Sequence, residues 1–414
     1  MKSARRQGQD DTASPDGRAR RPRIAFLNSH PIQYFAPLYA HINRTGAFEA
    51  IPIYLSDVSL RGEFDPGFAQ KVAWDIDLLA GTDPIFVRNA SRHRPEQALR
   101  LLAPDVWSIV RNGNFDALVV HGGVLGANYI AIAAAKSKGI PCFVRGDSHG
   151  SLKAAGWKTA LRSIAIRAFY HSVDGLLAIG SNNRDYYRSL GIPDERIFHF
   201  PFSVDNARVE EGSRLSPGER AAYRQKLGIA DDRPIVLFAS KFLARKHPDH
   251  LLQACARLAD EGQRLALVFA GAGEMEASLR SAAADTPQLQ TIFTGFLNQT
   301  ELLPMLGACD IFALPAESEP WGLIINEAMC AGLPIVASRE IGAVADLVRD
   351  GENGHCFDAN DVVGLCDALR PIVADAELRR SMGTRSREII AQWSFNENVQ
   401  GLHDIFGTRH AVGD

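Results

Sequence analysis

The chain has 414 residues, of which 46% are hydrophobic and 22% charged, and a formal net charge of −3. That length exceeds a single core of usual size and predicts two domains, and the near-balanced charge gives no reason to expect a nucleic-acid partner. No run of 18 apolar residues occurs, so no transmembrane helix is expected, and six cysteines in apolar contexts without a C-x-x-C pair read as buried reduced thiols in a cytoplasmic protein.

In chain order, residues 1–21 are rich in Arg, Asp, Gly and Ser and carry no hydrophobic region, so they read as a disordered tail rather than a secretory signal. Strands are expected at 23–28, 49–55, 84–87, 117–121, 141–144, 175–179 and 196–200, most of them separated by helical segments. Residues 201–218 turn polar and are expected to form the inter-domain linker. A second series follows at 234–239, 265–270, 290–294, 311–314, 334–337 and 355–357, and a closing helix is expected at 393–409. Such alternation predicts two Rossmann-like, doubly wound parallel sheets facing one another across a cleft. The domains are expected at 22–205 and 206–385, with 386–414 crossing back to the first.

The chemistry concentrates in IFALPAESEPWGLIINEAMCAGLPIVAS, residues 311–338, which reads as strand, loop, helix and strand. A loop after a parallel strand lies at the carboxyl edge of the sheet, where open α/β folds bind ligands. A helix beginning at Gly322 and Leu323 aims its free N–H groups and positive dipole end at that edge, which suits a diphosphate. Glu327, just over one turn in, can accept hydrogen bonds from vicinal hydroxyls, and Glu319 can reach a group beyond the phosphates. Spacing alone also fits an ordinary helix with an acid at its favoured end.

The block from Glu319-Pro-Trp-Gly through Glu327-Ala-Met-Cys-Ala-Gly-Leu-Pro-Ile-Val closely resembles the signature of the retaining nucleotide-sugar glycosyltransferases of glycosyltransferase family 4, two glutamates followed by Ala-Met-x-x-Gly-x-Pro-Val. The resemblance implies the GT-B architecture, with Glu327 on the donor ribose and Glu319 on the donor sugar. Phe238-Ala-Ser240-Lys241-Phe-Leu-Ala-Arg-Lys246-His is similar to the family's diphosphate grip, with Lys241 where Arg is usual and Ser240 and His247 where glycines are usual. A lysine keeps the charge but loses the bidentate fork. Gly271-Ala-Gly273 and Gly295-Phe296 match family elements expected near the nucleotide base, and Asp346 stands where the family has Glu.

In the first domain, His30, Gln33 and Tyr34 follow the first strand at a carboxyl edge and could bind acceptor or donor sugar, or simply pack the loop. His121 follows a later strand, and Arg145-Gly-Asp147 occupies the region where many relatives place a histidine near the anomeric carbon, with His149 slightly beyond; which of Arg145, Asp147 and His149 faces that carbon is left open. Asp75-Ile-Asp77 mimics a metal-binding acid–x–acid triplet, but the pattern recurs at 274–276, 317–319 and 375–377 and is uninformative, so no metal is expected. Residues 151–172 carry Lys153, Lys158, Arg162 and Arg167 with Trp157 and Phe169 and no acid, which suggests a helix at a membrane surface. Those cations scatter around the axis, which fits a packed helix better than peripheral contact with the inner face of the plasma membrane.

The resemblance thus implies a metal-independent, retaining transfer from a nucleotide-diphosphate sugar, UDP being the commonest base, with no other cofactor. The acceptor is a glycan, a lipid-linked group or a small molecule, in surface-polysaccharide or glycoconjugate assembly or in glycosylation of a metabolite. The rivals are a nucleotide-sugar 2-epimerase, which needs no acceptor, and a non-catalytic sugar-nucleotide binder.

Overall fold

The computed structural model describes residues 20–65, 67–68, 70–92, 103–122, 126–148 and 157–410. Most of the tail expected at 1–21 therefore lies outside the described residues, as do His149 and Lys153.

The first series of strands is β1 (Arg23–Asn28), β2 (Glu49–Tyr54), β3 (Glu63–Asp65), β4 (Gln70–Val72), β5 (Ile85–Phe86), β6 (Ala117–His121), β7 (Cys142–Arg145), β8 (Gly175–Ala178) and β9 (Ile197–His199). The second is β10 (Ile235–Ala239), β11 (Ala266–Ala270), β12 (Gln290–Gly295), β13 (Ile311–Leu314), β14 (Ile335–Ser338) and β15 (Gly354–Phe357). One sheet runs β5-β2-β1-β6-β7-β8-β9 and the other β12-β11-β10-β13-β14-β15, with every pairing parallel. Strands such as Ile235–Ala239 are buried along their whole length, because helices cover both faces of a parallel sheet.

Strand order reverses between β1 and β6 and again between β10 and β13. At such switch points the flanking loops diverge and open a crevice at the carboxyl ends of the strands. The loop after β1 holds His30, Gln33 and Tyr34, that after β10 holds Ser240, Lys241 and Lys246, and that after β13 holds Glu319 and Gly322.

Two local features differ from the sequence reading. Residues 201–218 are not an open linker, since a helix occupies Asn206–Ser213 and another begins at Pro217. The Ser, Asp and Asn content that resembles a linker is cap chemistry here: Asp205 accepts from the Arg208 N–H at 3.1 Å, and Ser216 and Glu219 form a capping box. An antiparallel hairpin, β3–β4, also appears where no element was expected.

The last helix, Phe395–His410, returns to the first sheet. Its Phe395, Val399, Leu402 and Ile405 are buried with Phe26, Leu38 and Tyr39. Each such side chain contributes roughly 1.5–3 kcal/mol relative to exposure, enough in sum to fasten the chain end across the two sheets. Within the stretch read as a packed helix, with membrane contact as the rival, Trp157–His171 is helical, with Phe169 and Tyr170 buried and Arg167 exposed. Among the described residues no helix is long and apolar enough to cross a membrane.

Candidate active site

A cavity of about 460 Å³ opens between the carboxyl edges of the two sheets. From the second sheet it is lined by Ser240, Lys241, Lys246, Gly271, Phe296, Glu319, Gly322, Leu323 and Glu327, and from the first by Gln33, Tyr34 and Asp147. Gly273, Gly295, His30, His121 and Arg145 are not among its lining residues.

Lys246 ends a short turn after β10 and is 5% exposed. Its ammonium is paired with the Glu319 carboxylate, and Arg245 stands 3.6 Å from the same carboxylate. Burial, reinforced by Arg245 and Lys241, pulls the Lys246 pKa down to about 7, while the facing Glu319 carboxylate favours the charged form. The two loops are tied together by main chain. Glu317 N–H donates to the Arg245 carbonyl at 2.9 Å, and the Arg245 guanidinium donates to the Ser318 carbonyl at 2.7 Å. On the other side, Gly342 N–H donates to the Glu319 carbonyl at 3.0 Å. A Cβ at Gly342 would run into the Pro320 carbonyl, so this position demands glycine for close approach. Glu319 is thus held by backbone on both flanks.

Glu327 lies on the helix Leu323–Cys330, which follows Gly322 in the left-handed region at φ 91°. It is 2% exposed, and burial raises its pKa to about 7, opposed by Arg208 and by a hydrogen bond from Gln299. Its Oε2 is buried with no hydrogen-bond partner among the described residues. A buried acceptor left open in a cavity wall is costly unless a ligand fills it. Gln299 is itself held by Arg208, which reaches the Gln299 side-chain oxygen at 3.3 Å and its carbonyl at 3.0 Å.

Gly271 has φ +150°, and a Cβ there would collide with the Ser240 carbonyl, so glycine lets the loop after β11 lie directly against the lysine loop. Gly273 packs in the same way on the Phe242 backbone, away from the cavity, which makes its role structural.

The first-domain candidates divide into two groups. Tyr34 reaches the second domain's core, and burial followed by the nearby Glu327 charge pushes its hydroxyl pKa well above the usual phenol range. Asp147 is exposed in the cavity wall. Arg145 instead points away. It is 3% exposed, with its guanidinium 4.7 Å from the Phe35 and Phe202 ring centres and 5.1 Å from Phe200, and it donates to the Pro201 carbonyl at 2.9 Å. His121 hydrogen-bonds Tyr39 at 3.0 Å, and burial and then Arg145 hold it neutral. Burial likewise lowers His30 to about 4. Of the three residues expected near the anomeric carbon, Asp147 is the one in the cavity, Arg145 is a packed cation, and His149 lies outside the described residues.

Asp75 and Asp77 do not converge. Asp75 accepts from the Thr300 N–H at 3.0 Å and also from its hydroxyl, in the first turn of the helix Gln299–Ala308, whose own N-cap is Asn298. Asp77 accepts from the Leu79 N–H at 2.9 Å within its own turn. Among the described residues one group of potential metal ligands lies close together, His247, Asp249 and His250. It sits at the positive end of the helix Pro248–Asp260 beside Arg245 and Lys246, an unfavourable field for a cation. Asp346 also acts between domains. It accepts from the Ser181 N–H at 2.8 Å and from its hydroxyl, at the start of the helix Ser181–Ser189.

This arrangement has counterparts. Residues 219–389 match the family model described as Glycosyl transferases group 1, and residues 79–202 match a Glycosyl transferase 4-like domain. The crystal structure of Anabaena Alr3699/HepE in complex with UDP-glucose superposes with a TM-score of 0.69 at 17% identity, covering 93% of this chain and 99% of that one. The fold is GT-B. Among relatives, a D-inositol 3-phosphate glycosyltransferase of Nocardia farcinica is 31% identical over 217 residues, 49% of this chain and 48% of that protein. A GDP-mannose-dependent monoacylated alpha-(1-6)-phosphatidylinositol monomannoside mannosyltransferase of Corynebacterium glutamicum is 30% identical over 249 residues, 58% of this chain and 64% of that one. The chain therefore spans about half to two thirds of the length of these relatives.

The GT-B cleft also contains residues that sequence reasoning missed. Asp65, Phe68 and Trp74 line it from the hairpin region of the first domain, and Phe202 and Gln299 complete its walls. Asp65 offers both carboxylate oxygens to the Lys241 ammonium, at 2.9 and 3.0 Å. The only local signal was the turn chemistry of Asp65-Pro-Gly67, which predicts a bend and says nothing of a partner.

Proposed function

We propose that this GT-B protein is a metal-independent, retaining glycosyltransferase that moves a sugar from a nucleotide-diphosphate sugar to an acceptor hydroxyl. The reading rests above all on Glu327, a buried carboxylate with one oxygen unpartnered, in a cavity wall one turn inside a helix aimed at the cleft. A ribose diol supplies the donors that this oxygen lacks. The diphosphate then lies at the helix N-terminus beside Lys241 and Lys246, whose charges neutralise it as the bond to the sugar breaks.

Glu319 and Lys246 pair with each other. With donor bound, Lys246 turns to the phosphate and Glu319 accepts from the sugar hydroxyls. The bond between the anomeric carbon and the diphosphate oxygen breaks with its electron pair staying on the diphosphate. The acceptor oxygen bonds to the anomeric carbon on the same face, and its proton passes to the leaving diphosphate oxygen.

Uridine is the first choice of base, supported by the UDP-glucose complex of the HepE neighbour, and the GDP-mannose dependence named for the Corynebacterium relative makes guanosine the second. The names of the relatives favour a lipid-linked or inositol-phosphate acceptor in glycolipid or surface-glycan synthesis.

A panel of UDP- and GDP-sugars, scored by release of nucleoside diphosphate in excess EDTA, tests this reading. Turnover of at least one donor, unchanged by chelator, is the expected result, because two lysines and a helix end supply the positive charge that a metal would otherwise provide. Asp75→Ala should retain activity and lose about 1 kcal/mol of stability through its hydrogen bonds to Thr300. Activity abolished by chelator, restored by Mg²⁺ or Mn²⁺ and lost in Asp75→Ala contradicts the metal-free mechanism.

A further inference from the structure

The first domain sends a segment, from β3 to Asp75, across the mouth of the cleft. Its far end is fastened to the second domain. The Asn298 side-chain amide donates to the Ala73 carbonyl at 2.6 Å, Asp75 N–H donates to Asn298 Oδ1 at 3.3 Å, and Thr300 N–H donates to Asp75 at 3.0 Å. Its middle packs by aromatic contact, with the ring centres of Phe68 and Trp74 4.7 and 6.1 Å from that of Phe296. At its near end Asp65 grips Lys241 with both oxygens, and the Lys241 ammonium also stands 4.7 Å from the centre of the Phe68 ring. All four of these strap residues and partners, Asp65, Phe68, Trp74 and Lys241, line the same cavity as Glu327 and Lys246.

We infer that Asp65 is a positioning residue which occupies the place of a donor phosphate on Lys241, so that the diphosphate must displace it to bind. This inference rests on the donor reading above. A carboxylate presenting two oxygens to an ammonium has the geometry and sign of a phosphate edge, and the pair is about one third exposed on each side, accessible to an incoming anion. A diphosphate carries more charge than Asp65 and is held by Lys246 and the helix end as well, so it wins the exchange. The Lys241 ammonium, on a flexible stem, swings from Asp65 to the phosphate. Asp65 remains anchored after the exchange, because its Oδ1 also accepts from the N–H groups of Gly67 at 2.7 Å and Phe68 at 3.2 Å. The Asp65 charge thus sets donor affinity through the phosphate and not through the base.

The test is calorimetric titration of the full chain and of Asp65→Asn with UDP, GDP, uridine and guanosine at low salt. Asparagine keeps the turn acceptor and removes the charge. The expected result is a nucleoside diphosphate bound about three- to tenfold more tightly by Asp65→Asn, the range set by the modest worth of a part-exposed ion pair, with nucleoside binding unchanged. Unchanged nucleoside binding also shows that the variant's pocket is intact. If the wild type binds a nucleoside diphosphate and Asp65→Asn binds it equally or more weakly, the displacement inference is overturned and the donor reading stands. If neither protein binds any nucleotide, both are overturned.

Discussion

Lys246→Ala is expected to lower kcat about 10²–10³-fold while changing the donor KM much less, the scale seen when a preorganised electrostatic stabiliser is removed. Negative charge on the leaving diphosphate grows towards the transition state, so a cation fixed beside it contributes more there than in the ground state. Lys246 is buried, on a turn locked to the Glu319 loop, and cannot be replaced by solvent without reorganisation. Its removal also leaves Glu319, which is 19% exposed, with Arg245 at 3.6 Å. Steady-state kinetics on the best donor checks this. A change confined to KM would make Lys246 a uniform binder. Because burial brings Lys246 to about 7, kcat/KM should fall as pH rises through that value and the ammonium is lost.

Glu327→Ala is expected to weaken donor binding by about 1.5–3 kcal/mol, roughly 10- to 150-fold, the worth of a hydrogen bond to a charged acceptor. Its pKa, raised by burial to about 7, gives kcat/KM an acidic limb. As pH falls through that value the carboxylate takes up a proton and ceases to be a charged acceptor for the ribose. Glu327→Gln should therefore abolish the acidic limb while leaving the limb of Lys246 in place. A pH–rate profile of wild type and variant reads both at once, and an acidic limb that persists in Glu327→Gln assigns it to another group.

Much of this was legible because parallel strands covered on both faces are written as short apolar runs, and the loop after each such strand lies at the ligand-binding edge. The block around Glu319 and Glu327 was legible as a motif, since helix start, glycine and acids fall within one continuous stretch. What stayed hidden depends on contacts between distant segments. Asp65 and Lys241 are 176 residues apart, and nothing local to either predicts the pair. Arg145 read as a candidate for the sugar because it ends a strand at the functional edge. The three aromatic rings that turn it into a packed cation come from positions 35, 200 and 202, and only the fold brings them together. Asp75 was ambiguous for the same reason, its partner Thr300 lying 225 residues away. The polar stretch at 201–218 misled differently, because cap residues and linker residues share a composition and differ only in what their side chains accept.

Calorimetric titration of the wild type and Glu327→Ala with UDP and GDP in excess EDTA tests the central claim most directly. The predicted result is saturable binding of at least one nucleoside diphosphate to the wild type without metal, weakened about 10- to 150-fold in the variant. Binding that requires added metal, or an equal affinity in Glu327→Ala, would contradict it.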